Sequence, residues 1–168
     1  MSGPVTVEAV DWDDAGAVAL RAAQRVEIAE RYGTDDSEPG PAPTAADITA
    51  FFVAYADDET PVGCGGLRRI DDTHGEIKRM FVAPSARGSG VSTAILNELE
   101  RFGLESGWSR LVLETGAAQP DAVRFYTREG FTPIDRYGYY VDSEASLCYE
   151  KTLVASDPAS ENICESCQ

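Results

Sequence analysis

Lysine is scarce in this chain. Only Lys78 and Lys151 occur, the other basic residues are arginines, and His74 is the single histidine. With 14 Lys and Arg against 29 Asp and Glu, the net charge is −15. A surface so acidic repels phosphate backbones, which excludes nucleic acid as a partner, and it draws cationic amines. Long apolar runs are missing too: nothing approaches the roughly 18 residues of a membrane span. Residues 1–10 carry no basic segment followed by an apolar run, so no secretory signal is read there and the expected location is cytoplasmic, without a membrane partner. One histidine and scattered cysteines offer no metal-ligand cluster, so no metal is expected. Cys64 and Cys148 sit in apolar, strand-like runs, as small buried hydrophobes do. Cys164 and Cys167 form a Cys-x-x-Cys without a second ligand pair, in a polar terminal stretch.

Hydrophobic residues make up 43% and charged residues 26%, an ordinary globular balance, and 168 residues suit one α/β domain. Residues 5–10 alternate as a strand. Residues 12–31 carry apolar side chains at helical spacing, with Asp11, Asp13 and Asp14 at the N-terminal end and Gly33 as the stop. Residues 34–44 are rich in Pro, Gly and Asp and read as a long loop. Three antiparallel strands follow at 51–55, 62–70 and 75–82, the middle one weakened by Gly63, Gly65 and Gly66. A helix at 90–105, a short buried strand at 111–115, a helix at 121–129 and strands at 131–134 and 147–153 complete the domain. The domain spans 1–154, and 155–168 is expected to be a disordered acidic tail bearing the Cys-x-x-Cys. Helices alternating with strands late in the chain predict a mixed α/β sheet covered on both faces.

The segment from Glu76 to Ser92 carries the chemistry. A buried strand runs into a loop holding Arg87, Gly88 and Gly90, and an amphipathic helix begins there. The glycines let the main chain turn tightly, and its N–H groups, with those of the helix's first turn, form an anion site to which Arg87 adds charge. The Gly-Lys-Ser/Thr of a nucleotide P-loop is absent, and Thr93 stands where a dinucleotide fingerprint needs its third glycine.

The run Met80-Phe-Val-Ala-Pro-Ser-Ala-Arg-Gly-Ser-Gly-Val91 closely resembles the cofactor motif of the GNAT (N-acetyltransferase) superfamily, in which Arg/Gln-x-x-Gly-x-Gly/Ala wraps the pyrophosphate of coenzyme A. A second segment, Leu113 to Phe131, is similar to the family's other signature: Gln119, then a helix ending in Tyr126-x-x-x-Gly130-Phe131. Together they cover roughly residues 5–153 by element order. The resemblance implies a GNAT-like mixed, largely antiparallel central sheet of about six to seven strands flanked by helices on both faces. It implies acetyl-CoA as acyl donor, held by Met80, Phe81, Val82, Arg87, Gly88, Ser89, Gly90, Val91, Ser92 and Gln119. Ser92 departs from the family's Gly or Ala, and its small hydroxyl keeps the cradle open to a phosphate oxygen.

The implied reaction is transfer of an acetyl group to a primary amine by direct attack. An alkylamine is mostly protonated at neutral pH, so the site must take a proton, hold an oxyanion and protonate the leaving thiolate. The resemblance gives Tyr126 the acid's role and Phe81 or Val82 N–H the oxyanion. Glu76, on the strand before the cofactor loop, and Glu114, on the next strand, each match a family position for the base. Strand alternation sets Glu76, Lys78 and Met80 on one face and Ile77, Arg79 and Phe81 on the other, and Glu76 is preferred. Acceptor contacts fall at Glu27, Arg31, Tyr32 and Tyr139, from the first helix and the Tyr137-Gly-Tyr-Tyr140 run. Arg31 and Arg136 are suited to a carboxylate. A small amine or amino acid is the expected acceptor. A lysine side chain or N-terminus of a protein or peptide is the alternative, and a non-catalytic acyl-CoA-binding module the third reading. The resemblance leaves a homodimer open, with no residue specifying the interface.

Overall fold

The computed structural model describes residues 5–34 and 39–154. The terminal Cys-x-x-Cys lies outside them. The chain opens with β1 (Thr6–Val10) and α1 (Ala15–Tyr32), followed by β2 (Ala50–Tyr55), β3 (Pro61–Arg69) and β4 (His74–Val82). Then come α2 (Val91–Glu105), β5 (Arg110–Gly116), α3 (Pro120–Arg128), β6 (Thr132–Ile134) and β7 (Ser146–Thr152), with single 3-10 turns at Pro84–Ala86 and Gly138–Tyr140.

The strands form one seven-stranded sheet in the order β1-β2-β3-β4-β5-β7-β6. Every neighbouring pair is antiparallel except β4 and β5. That exception follows from the connection: α2 carries the chain back across one face, so the next strand enters in the same direction. The expected mixed sheet with helices on both faces is what forms.

Helix α1 starts where Asp14 accepts a hydrogen bond from the Ala17 N–H (3.1 Å), and ends at Gly33 in a left-handed conformation, φ +80°. It covers one face of the sheet, burying Ala17 and Leu20 against Phe51, Val53, Cys64 and Phe81. Helices α2 and α3 cover the other, where Ile95, Leu96, Leu99 and Tyr126 join Leu67, Ile77, Leu111, Leu113 and Phe131. Gly63 lets α2 lie close, since a Cβ there would come within 2.8 Å of Val91 and 2.9 Å of Ile95. Among the described residues no helix is long and apolar enough to cross a membrane.

Candidate active site

The site begins with a defect in the sheet. Lys78 pairs with Gly66 and Phe81 with Cys64, so Arg79 and Met80 together oppose Gly65 in a β-bulge, with Arg79 at φ +58°. A side chain held at positive φ is costly and persists only where its surroundings fix it. Here the Arg79 carbonyl accepts from the Cys64 thiol (3.3 Å), and the Met80 carbonyl accepts from Gln24 Nε2 of α1 (3.0 Å). The extra residue corrects the alternation expected for this strand. Ile77 faces α2, whereas Phe81 packs beneath α1.

Beside the bulge, β4 and β5 part. Their ladder runs from His74↔Arg110 to Glu76↔Val112 and stops, although both strands continue, to Val82 and Gly116. The β4 edge facing β5 thus lacks a strand partner from Ile77 onward, and such an edge can take an extended ligand by main-chain hydrogen bonding. Two cavities adjoin this opening. The larger, about 740 Å³, runs along the loop after β4, the start of α2 and one side of α3. The smaller, about 260 Å³, lies between the splayed strands and under α1. Both are lined by Gln24, Ile28, Met80, Gln119, Ala122 and Tyr126.

Nearly all the residues expected to hold acetyl-CoA line the larger cavity: Met80, Phe81, Val82, Arg87, Gly88, Gly90, Val91, Ser92 and Gln119. Gly88 (φ +80°) and Gly90 (φ +86°) have nothing within 4 Å of where a Cβ would stand, so the loop main chain is open to a ligand. Gly90 caps α2 without a side chain, leaving the first-turn N–H groups for an anion. These features fit a CoA pyrophosphate. Two members of the set act differently. Ser89 lies off the cavity and its hydroxyl donates to the Ala86 carbonyl, tightening the loop. Arg87 lines the cavity with much of its guanidinium committed inward: Nε donates to the Val82 carbonyl (2.9 Å) and Nη2 to Glu27 (2.8 Å). In this arrangement anion binding falls chiefly to main-chain N–H groups. Thr93 of α2 donates to Glu129 beyond α3 (2.9 Å) and fixes the spacing of the walls.

Tyr126 is buried at the junction of the cavities, edge-on to Phe125 and Phe131. Burial pushes its phenol well above the usual value, so it stays protonated at neutral pH and able to donate. The two glutamates separate clearly. Glu76 is fully buried and lines neither cavity. Its Oε2 accepts from the Tyr137 and Tyr140 hydroxyls (2.7 and 2.9 Å), and its Oε1 lies 2.7 Å from Arg68 without the alignment of a hydrogen bond. Burial, then this carboxylate, raises the Tyr137 phenol far above its ordinary value. The Glu76 carboxylate, preferred as base in the sequence, is thus engaged inside the fold. Glu114, half-buried, lines the smaller cavity.

The acceptor residues divide too. Tyr32 lines the smaller cavity, whereas Glu27 and Arg31 line only the larger one, 3.9 Å apart. Tyr139 lines neither cavity; it is 61% exposed and rests against Gly40, while Tyr140 lines the smaller cavity in its place. Arg136 is occupied by the Ser146 and Glu144 carbonyls. His74 opens β4, bonded to Asp71 (3.0 Å) and away from both cavities. Sequence reasoning missed Gln24 and Ile28. They precede Tyr32 by eight and four residues, so the helical period that marked α1 would have brought them in with it.

The sequence model of the acetyltransferase (GNAT) family matches residues 19–131. An IAA acetyltransferase of Azospirillum brasilense is 38% identical over 103 residues, covering 61% of this chain and 67% of its own length. The uncharacterized N-acetyltransferase YsnE of Bacillus subtilis is 33% identical over 105 residues, covering 61% of this chain and 69% of its own length. A GNAT-family acetyltransferase structure from Elizabethkingia anophelis with acetyl-CoA bound superposes with a TM-score of 0.66 over 89% of this chain and 98% of its own, at 16% identity. One from Staphylococcus aureus Mu50 gives 0.73 over 90% and 100%, at 17%. At those identities the likeness is one of fold. With the bulge, the parted strands and the glycine loop in place, the chain belongs to the acetyltransferase (GNAT) family, whose enzymes take acetyl-CoA as acyl donor.

Proposed function

We propose that this enzyme acetylates a small primary amine, or an amino acid, from acetyl-CoA by direct attack. The observation that carries the reading is the meeting of two unequal cavities at Tyr126: one, about 740 Å³, bordered by the glycine loop, the other, about 260 Å³, sized for a small molecule. Bound acetyl-CoA supplies an activated carbonyl and a thiolate leaving group. In this reading the chain's own groups do the rest. Glu114 takes the proton that the acceptor ammonium must lose, and main-chain N–H groups at the β4 bulge hold negative charge on oxygen. Tyr126, kept neutral by burial, returns a proton to sulfur.

Two measurements test this. Acetyl-CoA at a hundred times its dissociation constant should stabilise the fold by about 2.7 kcal/mol, raising Tm by roughly 5–11 °C. CoA release should then follow addition of one member of a panel of small amines and amino acids. Release only with peptides or intact proteins transfers the assignment to a lysine or N-terminal acetyltransferase. A thermal shift without release by any acceptor leaves an acyl-CoA-binding module.

A further inference from the structure

Gln24 stands at the junction of both cavities with half its amide in use. Its Nε2 donates to the Met80 carbonyl at the bulge, while its Oε1 is buried without a hydrogen-bond partner. The amide cannot be flipped, because a carbonyl accepts only from the NH₂ end. The oxygen is thus fixed away from β4, and an unpaired buried carbonyl is costly enough to need an occupant. Eight residues on, Tyr32 also lines the smaller cavity with its hydroxyl buried and unpartnered, and apolar Ile28 lies between them. Over eight residues α1 rises about 12 Å.

We propose that Gln24 seats the acceptor: Oε1 takes a hydrogen bond from the attacking nitrogen and thereby selects amines over alcohols. This rests on the acetyl-transfer reading above. A primary ammonium has hydrogens to spare. One leaves to the base first and frees the lone pair. A second departs as the N–C bond forms and the C–S bond breaks, replacing the proton that Tyr126 gives to sulfur. The third stays on Oε1 as the amide hydrogen. A hydroxyl has a single hydrogen, and one donated to Gln24 is withheld from the base. Ile28 offers an apolar surface and Tyr32 a hydrogen bond to a second polar group at the acceptor's far end.

The test starts with the wild-type chain, acetyl-CoA and four amines: spermidine, L-lysine, tryptamine and a short peptide with a free N-terminus. CoA release with one of them, and none with its hydroxyl analogue, is expected. Gln24→Met should then lower the acceptor's kcat/KM by about 10- to 100-fold, as loss of a hydrogen bond to a charged group does, while calorimetric acetyl-CoA affinity stays unchanged. Gln24→Glu sets a carboxylate beside the bound amine, raises its pKa, and should move the rising limb of kcat to higher pH. A merely structural glutamine would produce no such displacement. Unchanged kcat/KM in Gln24→Met overturns the proposal, as does an equal loss of acetyl-CoA affinity, which makes Gln24 only a brace for the bulge. No CoA release by the wild type with any amine sinks the acceptor reading, and the role of Gln24 with it.

Discussion

The hydroxyl of Tyr32 occupies the space that a side chain on Gly116 would fill: a Cβ built there runs into the phenol oxygen. The end of α1 and the end of β5 are thus brought together by the absence of one methyl group. Gly116→Ala should cost about 1–3 kcal/mol in thermal or denaturant unfolding, as overpacking does. Tyr32→Phe in the same background should recover part of that loss, because it removes the atom in the way. Strictly additive effects in the double-mutant cycle contradict the contact.

Tyr126→Phe should lower kcat by about 100-fold or more, the usual range for loss of a general acid, with acetyl-CoA affinity retained. The ring remains packed between Phe125 and Phe131, so Tm should not fall. Full activity in the variant means that solvent protonates the thiolate.

Glu76 and Glu114 should fail in different assays. Glu76→Gln removes a buried charge held by Arg68 and two phenols, and should destabilise by roughly 2–3 kcal/mol, less than a fully buried pair because Arg68 is 33% exposed. Glu114→Gln should cut the rate by more than any loss of stability accounts for. Without a base, turnover depends on amine already deprotonated in solution, a fraction that grows with pH, so the deficit should be largest at low pH. The opposite assignment of the two phenotypes restores Glu76 as the base.

Cys64 gives the fold an alkaline weakness. Its thiol is fully buried on β3, and burial pushes its pKa from 9.0 up to about 12. The folded chain keeps this proton after the unfolded chain has lost it. Stability is therefore fully present below pH 9 and declines between pH 9 and 12, by about 1.4 kcal/mol per pH unit for one proton. Urea titrations at pH 8 and pH 10 should reveal the decline, and Cys64→Ala should lessen it. Equal slopes in the two proteins rule the thiol out.

Ser92→Gly tests the one departure from the family's loop. Ser92 lines the larger cavity within the first turn of α2, whose main-chain N–H groups no side chain caps. Acetyl-CoA affinity should change little in calorimetry. A large gain shows that the hydroxyl crowds the phosphates, and a large loss that it binds them.

Local pattern made much of this molecule legible. Apolar spacing marked α1 and α2, Pro120 and Gly130 bounded α3, glycines and prolines marked the turns, and the glycine loop marked the anion site, because each depends on residues close in sequence. Which of the two glutamates reaches a cavity was not legible. Glu76 and Glu114 occupy equivalent-looking places on neighbouring strands, and what separates them is a segment some sixty residues further on, whose Tyr137 and Tyr140 close over Glu76. The residues of β4 alone do not place the bulge at Arg79 and Met80, which is defined by register against β3 and its glycines. Arg87 was found as a cation in the loop, but its pairing with Glu27 depends on where α1 crosses the sheet.

The parting of β4 from β5 also bears on solubility. An unpaired strand edge invites other chains to add on, and proteins usually guard their outer edges with charge, proline or short strands. Here the vacant ladder opens in the middle of the sheet, flanked by β3 on one side and β7 on the other. A whole strand from another molecule would have to displace α1 or α3 to reach it, whereas a slender, unbranched arm can enter end-on. The protein keeps a sticky surface for its ligand without offering it to its neighbours.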